Sequence, residues 1–463
     1  MSGLAGNSGS AGPRAAARYG TAAAALCGVQ FVDVLGVTVV VTALPRMLAD
    51  LGAMPAEGTA VVTAYAMFFG GLLMVASRVG DRVGHRRVVL AALALFAAAS
   101  ALGALAGSVW LLATARALQG VAAAASVPSA LRLLTTVVPD GPARRRAVAG
   151  WSAAGAAAGA SGFVVGGVLT ELASWRAVFW MNIALAVLLA AAVVHLIPRD
   201  QPSPAVAGIG WPSATLLTAA AMGIVAGTTL LGEHGSAVLA GAVTTLGVLA
   251  AAGFAPVERR ASHPLVGPAA RRAPVLRWGA FGSFFNTATT SSSITVATLY
   301  LQDQLGLAPL RAAALLVTFS ILVVGGSLGA PRLITALGWS RALGCGLGII
   351  AAGNTLLVAW PHVIGVGVAA GICGLGIGIG SVAATDMGTA VDEAIKATAA
   401  GVLNTAAQLG TAIGTSLILL VATTLQPRPA WAVAACLAIV AALALARRGP
   451  LTRPTAPLEE DTT

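Results

Sequence analysis

Two ionisable side chains stand where few are tolerated. Asp33 lies in an apolar run from about residue 22 to 44, and Arg116 in another from about 109 to 136. A charge in a spanning helix costs about 2.5–3.5 kcal/mol on insertion scales and is by default functional. A carboxylate so placed can take up and release a proton, and a cation that approaches and leaves changes its hold on that proton. At 1.5 Å per residue, Asp33 is ~16 Å from the start of its run. Arg116 is ~11 Å from the start of its own, hence ~19 Å from the opposite face of a ~30 Å core. The two charges are expected at similar depth, with Arg116 tuning Asp33 and competing with its proton.

A second group lies between two apolar stretches: Ser77-Arg78-Val79-Gly80-Asp81-Arg82-Val83-Gly84-His85-Arg86-Arg87-Val88-Val89. The two glycines permit a tight turn and close helix approach, and an acid among arginines can pair with the positive end of a neighbouring helix. A third group is the stripe Gly155, Gly159, Gly162, Gly166 and Gly167. Small residues spaced in this way let membrane helices approach closely. Uncharged candidates to line a cavity are Gln30, Gln119, Phe285, Asn286, Asn404 and Gln408, the last two sharing a face at i, i+4. Interhelical hydrogen bonding is the competing reading of these residues.

These groups must be positioned by a membrane fold. The chain has 463 residues, 57% hydrophobic and 9% charged, against about 25% charged in soluble domains. Charges, prolines and glycine clusters divide it into fourteen spans, among them 278–301, a glycine-broken 310–330 and a polar 397–424. The layout expected is a tail (1–21), a six-helix bundle (22–198), a linker with two inserted helices (199–277), a second six-helix bundle (278–448) and a disordered tail (449–463). With both ends in the cytoplasm, only Arg46, Arg176, Arg311 and Arg428 fall outside and only Arg116 within a helix, of 27 basic residues. That is the positive-inside bias. The net charge of +11 is therefore topogenic and carries no nucleic-acid signature. Trp110, Trp175, Trp211, Trp278, Trp360 and Trp431 near span ends are expected as interfacial anchors. Pro331–Arg341 looks like a decayed copy of the 77–87 segment, as internal repeats of transporters provide.

Absent motifs narrow the chemistry. There is no G-x-x-x-x-G-K-[ST] and the one lysine is Lys396, so no Walker A site drives the chain; there is no H-E-x-x-H. Cys27, Cys345, Cys373 and Cys436 are scattered through apolar stretches and define neither a disulfide frame nor a metal set. No cofactor, metal or catalytic cluster is expected.

The 77–89 segment resembles the loop between the second and third helices of the major facilitator superfamily. Asp81, Arg82, Gly84 and Arg86 match its pattern, with Ser77 for the usual first glycine. Arg116-Ala117-Leu118-Gln119-Gly120 resembles its R-x-x-Q-G motif. Thr38 to Ala43-Leu44-Pro45 resembles the first helix of the fourteen-helix drug:proton antiporter branch, with Gly36 where that branch has Asp and Val41 where it has Asn. Asp33 is three residues earlier on nearly the same face. The glycine stripe and Trp175-Arg176-Ala177-Val178-Phe179-Trp180-Met181-Asn182 resemble the antiporter motif, with Phe163 in place of Pro. Tyr300-Leu301-Gln302 and Gly306 resemble the end of the ninth family helix. The resemblance implies an all-α major facilitator fold and a proton-coupled multidrug or antibiotic exporter of the bacterial inner membrane. It also implies a monomer moving a small amphipathic substrate. Asp81, Arg82, Gly84, Arg86, Gly162 and Gly166 would then act in gating, with Asp81 and Arg82 latching the bundles together. A proton-coupled importer or metabolite carrier of the same fold is an alternative; an integral membrane enzyme or sensor is a remote one.

Overall fold

The computed structural model describes residues 13–54, 57–139, 141–200, 210–232 and 236–447. The two tails' outermost residues, including all of 449–463, lie outside the described residues. The described part of the chain is helical throughout. The helices are α1 (Pro13–Asp50), α2 (Gly58–Val83), α3 (His85–Ala104), α4 (Val109–Val137), α5 (Pro142–Leu172), α6 (Arg176–Leu196), α7 (Trp211–Gly232) and α8 (Ala237–Arg260). After a short α9 (Pro268–Arg272) come α10 (Pro274–Leu299), a π-helical turn (Tyr300–Gln304), α11 (Pro309–Leu337), α12 (Trp339–Ala359), α13 (Val363–Gly388), α14 (Glu393–Thr424) and α15 (Pro427–Ala446).

Thirteen of these helices are long and apolar enough to cross a membrane. The fourteenth long helix, α10, falls below that measure because of its Ser/Thr run. Its hydroxyls bond back to carbonyls one turn earlier: Thr289 to Phe285, Ser292 to Ala288, Thr295 to Ser291 and Thr298 to Ile294. Such back-bonds satisfy the hydroxyl inside the helix, so α10 packs as a core helix despite its composition. The protein is a multi-pass membrane protein.

Several expected boundaries shift. α1 is helical from Pro13 rather than residue 22, because the alanine-rich approach is strongly helix-forming. The segment 77–89 is hardly a loop. Helix α2 runs to Val83, Gly84 alone breaks the helix at φ +98°, and α3 starts at His85. The second half repeats this, with α11 to Leu337, Gly338 at φ +79°, and α12 from Trp339. Positive φ is a glycine conformation. Gly84 and Gly338 occupy the same place in the two related segments. Trp110, Trp211 and Trp360 are about half exposed at helix ends. Trp175 and Trp431, expected to be anchors, are instead buried. Trp175 stacks edge-on against Phe179, and Trp431 stacks against Tyr300.

With fourteen long helices alternating in direction, the start of α1 and the end of α15 fall on one side of the array, called here the tail side. Close approaches join the first and second halves along two seams. In one, Gly70 of α2 faces the Gln408 Cβ of α14, and Gly401 faces Leu73 and Met74. In the other, Gly167 of α5 lies against Pro309, Leu310 and Ala313 of α11. Phe163 meets Phe319 edge-to-face, and Ser320 donates to the Gly159 carbonyl at 3.4 Å. α7 lies over the first seam: Thr218 fits the notch at Gly71, and Thr228 bonds Ser416 of α14. α8 packs on α7 through Gly223 and Gly247. Its other face exposes Val238, Leu246 and Leu249, as a lipid-facing helix does.

Candidate functional site

Asp33 is 5% exposed on α1. Its Oδ2 accepts a hydrogen bond from Ser126 Oγ of α4 at 2.7 Å. Its main-chain carbonyl accepts from the Tyr65 hydroxyl of α2 at 2.9 Å. Arg116, 1% exposed, lies on the other side of that tyrosine, its guanidinium carbon 4.6 Å from the ring centroid. Three helices therefore hold the acid and the base at one level, as the rise arithmetic expects.

The two charges do not pair. Arg116 Nη1 donates instead to the Gly36 carbonyl at 2.8 Å and to Gln119 Oε1 at 2.8 Å. Gln119 Nε2 continues to Ser100 Oγ of α3 at 2.8 Å, and Ser100 to the Phe96 carbonyl. The α1 backbone, Gln119 and the Tyr65 ring meet the guanidinium where an acid at position 36 would have stood, while its Nε is buried with no hydrogen-bond partner. Gly120 explains how α2 comes so close: a Cβ there would collide with the Tyr65 carbonyl oxygen. The R-x-x-Q-G spacing thus supplies a cation, its acceptor and a notch on successive turns of one helix.

The glycine stripe of α5 serves α1. A Cβ on Gly162 would collide with Thr38, and one on Gly166 would lie 2.6 Å from the Val39 carbonyl oxygen. Gly155 leaves room for the Gln30 amide, 3.1 Å from where its Cβ would stand. Gly159 has far more space, with Val34 at 4.0 Å. Beyond the stripe, Trp175 Nε1 and Arg176 Nη1 both donate to Asp50 Oδ2, at 3.0 and 2.5 Å, fastening the end of α1.

The tail-side junction differs from the expected latch. Asp81 accepts from His85 Nε2 at 3.1 Å, within its own segment, and Arg82 is exposed. The acid that caps α3 is Asp200, just after α6. It accepts from the backbone N–H groups of His85 at 2.5 Å and Arg86 at 3.1 Å. Arg86 Nη2 donates to the Val194 carbonyl at 2.9 Å. The absence of a Cβ at Gly84 leaves room for the Asp200 carboxylate. Arg78, from the same segment, reaches the linker after α8, donating to the carbonyls of His263 at 3.3 Å, Pro264 and Leu265.

Other expected cavity residues divide into two groups. Gln119 is fully buried in the Arg116 network, and Asn286 is buried with Nδ2 donating to the Ile377 carbonyl at 3.3 Å and to Ser381 Oγ at 3.0 Å. In this conformation both lie within helix packing rather than on a cavity wall, because each has found interhelical partners. Gln30, Phe285, Asn404 and Gln408 are half-buried. Phe285 belongs to a chain of ring contacts with Phe281 and Phe284, and Gln408 lies at the seam with α2.

Sequence reasoning missed Tyr65, Ser126 and Asp200, and it named Gln302 only within a family motif, without the contact it makes. Gln302, on the π-helical turn, donates to the Thr42 carbonyl of α1 at 2.9 Å, across the two halves on the far side. Close by, Glu171 of α5 accepts from the Leu310 N–H at the start of α11 at 2.9 Å.

Comparison with known proteins agrees with the fold. The cephamycin export protein CmcT of Amycolatopsis lactamdurans is 35% identical over 416 residues, covering 87% of this chain and 84% of its own. The puromycin resistance protein pur8 of Streptomyces alboniger is 33% identical, covering 85% of this chain and 80% of its own. Among solved structures, peptide transporter POT in complex with sulfate superposes with a TM-score of 0.71 at 16% identity, covering 94% of this chain and 96% of that one. That likeness is one of fold alone. The Major Facilitator Superfamily model matches residues 26–415, and a second match covers 279–462. With most of its length matched and relatives above 30% identity, the chain belongs to the major facilitator superfamily.

Proposed function

We propose that this protein is a proton-driven exporter of small amphipathic, antibiotic-like molecules. The observation that carries the reading is Asp33, a carboxylate sealed at mid-helix between Ser126 and Tyr65, with an arginine nearby that it does not pair with. Buried intramembrane acids mark proton and ion pathways. The export and resistance proteins among its relatives support the direction and substrate class.

In this reading the tail side is cytoplasmic, as the positive-inside bias favours, and the protein works as a monomer in the cytoplasmic membrane. The two six-helix halves, 22–198 and 278–448, rock about the midplane in alternating access, with no cofactor. Asp33 takes a proton when its helix opens to the far side and yields it when the helix opens to the tail side. Ser126 keeps the carboxylate in one orientation. Arg116, held by Gly36 and Gln119, is the cation whose approach changes Asp33's hold on its proton. The glycine notches let α1 slide on α5 and α2 on α4 without prising the helices apart. The 77–89 segment, pinned by Asp200 and Arg78, gates the tail side, and Gly162 and Gly166 of the α5 stripe let α1 shift against α5 as it does so.

The test is coupled flux in proteoliposomes. Drug should leave the tail-side compartment as protons enter it, and Asp33→Asn should uncouple the two. Accumulation of drug along with protons would favour an importer of the same fold instead.

A further inference from the structure

In this conformation Asp33 is sealed, so a proton that leaves it passes through side chains and bound water. Ser126 of α4 donates to Asp33 Oδ2 at 2.7 Å. Ser129 stands one turn further along α4 toward the tail side, on a neighbouring part of the same face. It is fully buried, yet its Oγ makes no hydrogen bond among the described residues. Leaving a buried hydroxyl unpaired costs about 1–3 kcal/mol, and packing alone gives no reason to place one here.

A second orphan lies beside it. His85 Nδ1, at the start of α3, is also buried and makes no hydrogen bond among the described residues. The two orphans face one point: a Cβ on Gly80 of α2 would collide with His85 Nδ1 and stand 2.9 Å from Ser129 Oγ. Glycine at position 80 keeps the space between them open, and the two atoms are no more than one bridging water apart. The other nitrogen of the ring leads outward. Nε2 donates to Asp81 Oδ1 at 3.1 Å, and the Asp81 side chain is 38% exposed. With the Nε2 proton given to Asp81, Nδ1 carries a lone pair and accepts. Among the charged groups around the ring, Asp200 accepts from the main-chain N–H groups of His85 and Arg86. Arg86 turns to the Val194 carbonyl and Arg78 to the linker after α8, and α4 presents the uncharged Ser129.

We infer that Ser126, Ser129 and His85 form a proton relay from Asp33 to Asp81 and so to the tail side, with bound water bridging the hydroxyls and the ring. The relay rests on the reading of Asp33 as the proton-coupling acid. A serine oxygen both donates and accepts, so each hydroxyl takes one proton and gives up another. Histidine is a common proton shuttle: His85 takes a proton at Nδ1 and gives one at Nε2, then returns to its first tautomer by exchange with water. One proton leaves Asp33 for each that Asp81 passes to the tail side.

Two fluxes of the full-length protein in proteoliposomes test the relay, with tritiated tetraphenylphosphonium as the probe. One is exchange of probe for protons under a pH gradient. The other is probe counterflow at equal pH, which uses the same gate but moves no net proton. His85→Gln keeps a donor for Asp81 but cannot pass a proton through a ring. It should slow coupled exchange at least about tenfold, short of the usual worth of a positioned proton-transfer group, and counterflow far less. Ser129→Ala should slow coupled exchange too. Because it removes a hydroxyl that has no partner, its melting temperature should equal or exceed that of wild type. Coupled exchange at the wild-type rate in either variant would overturn the relay, and uncoupling by Asp33→Asn in the same vesicles would then keep the antiport reading standing. Equal slowing of exchange and counterflow in His85→Gln would also overturn it, making His85 part of the gate. Failure of wild type to exchange probe for protons would remove both.

Discussion

Arg116 Nη1 donates to the main-chain carbonyl of Gly36 at 2.8 Å, the position at which the drug:proton antiporter branch carries an acid. The side chain that would have met the guanidinium is missing, and the backbone takes its place. The carboxylate stands one turn away at Asp33, turned toward Ser126 rather than toward the cation. Base and acid are thus held apart by Tyr65 while sharing one layer of the bundle.

Arg116→Ala should be costly to stability as well as to transport. It leaves Gln119 Oε1 without its donor in a buried layer and takes from the Gly36 carbonyl the bond it makes beyond its own helix; an unpaired buried acceptor costs about 1–3 kcal/mol. Thermal unfolding in detergent should show a lowered midpoint. Arg116→Lys should recover part of the stability, having a donor but no planar fork. Unfolding of Arg116→Ala at the wild-type midpoint would show that the network carries little.

Ser126→Ala tests the orientation of Asp33 without touching the acid. The serine is small and fully enclosed, so packing changes little, and the carboxylate loses its hydrogen-bond donor. The pH profile of transport should move relative to wild type while expression holds. Ser126→Thr should stay closer to wild type. A superimposable profile for Ser126→Ala would remove Ser126 from the mechanism.

The α1–α5 contact distinguishes neighbouring glycines. Gly162→Ala places a methyl group into Thr38, whereas Gly159→Ala meets nothing nearer than Val34 at 4.0 Å. Overpacking of this kind costs about 1–3 kcal/mol. Gly162→Ala should lower both the melting temperature and transport, and Gly159→Ala neither. Equal tolerance of the two substitutions would show that this contact is loose.

Gln302 bonds to α1 across the far side, carried by a π-helical turn whose Tyr300 is anchored to the Pro361 carbonyl at 2.7 Å. π-turns recur at functional sites. Gln302→Leu removes the donor and should shift the halves toward a state open on the far side. Distances between spin labels at Leu172 and Arg311, both exposed on that side, should lengthen. Gln302→Glu should do the same at neutral pH and close again in acid, since only a protonated carboxyl can donate. An unchanged distance distribution in both variants would mean that Gln302 is not a clamp.

Much of this architecture is written in local patterns. The spans follow from length and apolarity. The repeat is visible because Gly84 and Gly338 impose the same positive φ at the same place in two related segments. The Arg116–Gln119–Gly120 cluster is legible because one helix face carries all three functions. What is hidden depends on the third dimension. Tyr65 and Ser126 are ordinary residues in apolar helices until α2 and α4 bring them to Asp33. Asp200 follows α6 with no motif around it, yet it caps α3 more than a hundred residues away. Among the described residues Asp81 meets His85, one turn away in its own segment, a contact that the spacing of a latch motif does not announce. Trp431 reads as an interfacial anchor from its place near a helix end, but its indole turns inward against Tyr300.

The central claim is that Asp33 exchanges protons for drug. The direct measurement is simultaneous proton and drug flux in proteoliposomes with an imposed pH gradient, for wild type and Asp33→Asn. Asparagine keeps the size and the acceptor for Ser126, so the fold should hold. Wild type should exchange drug for protons, and the variant should still bind drug but move it only down its own gradient. Gradient-driven exchange by Asp33→Asn at the wild-type rate would contradict the account.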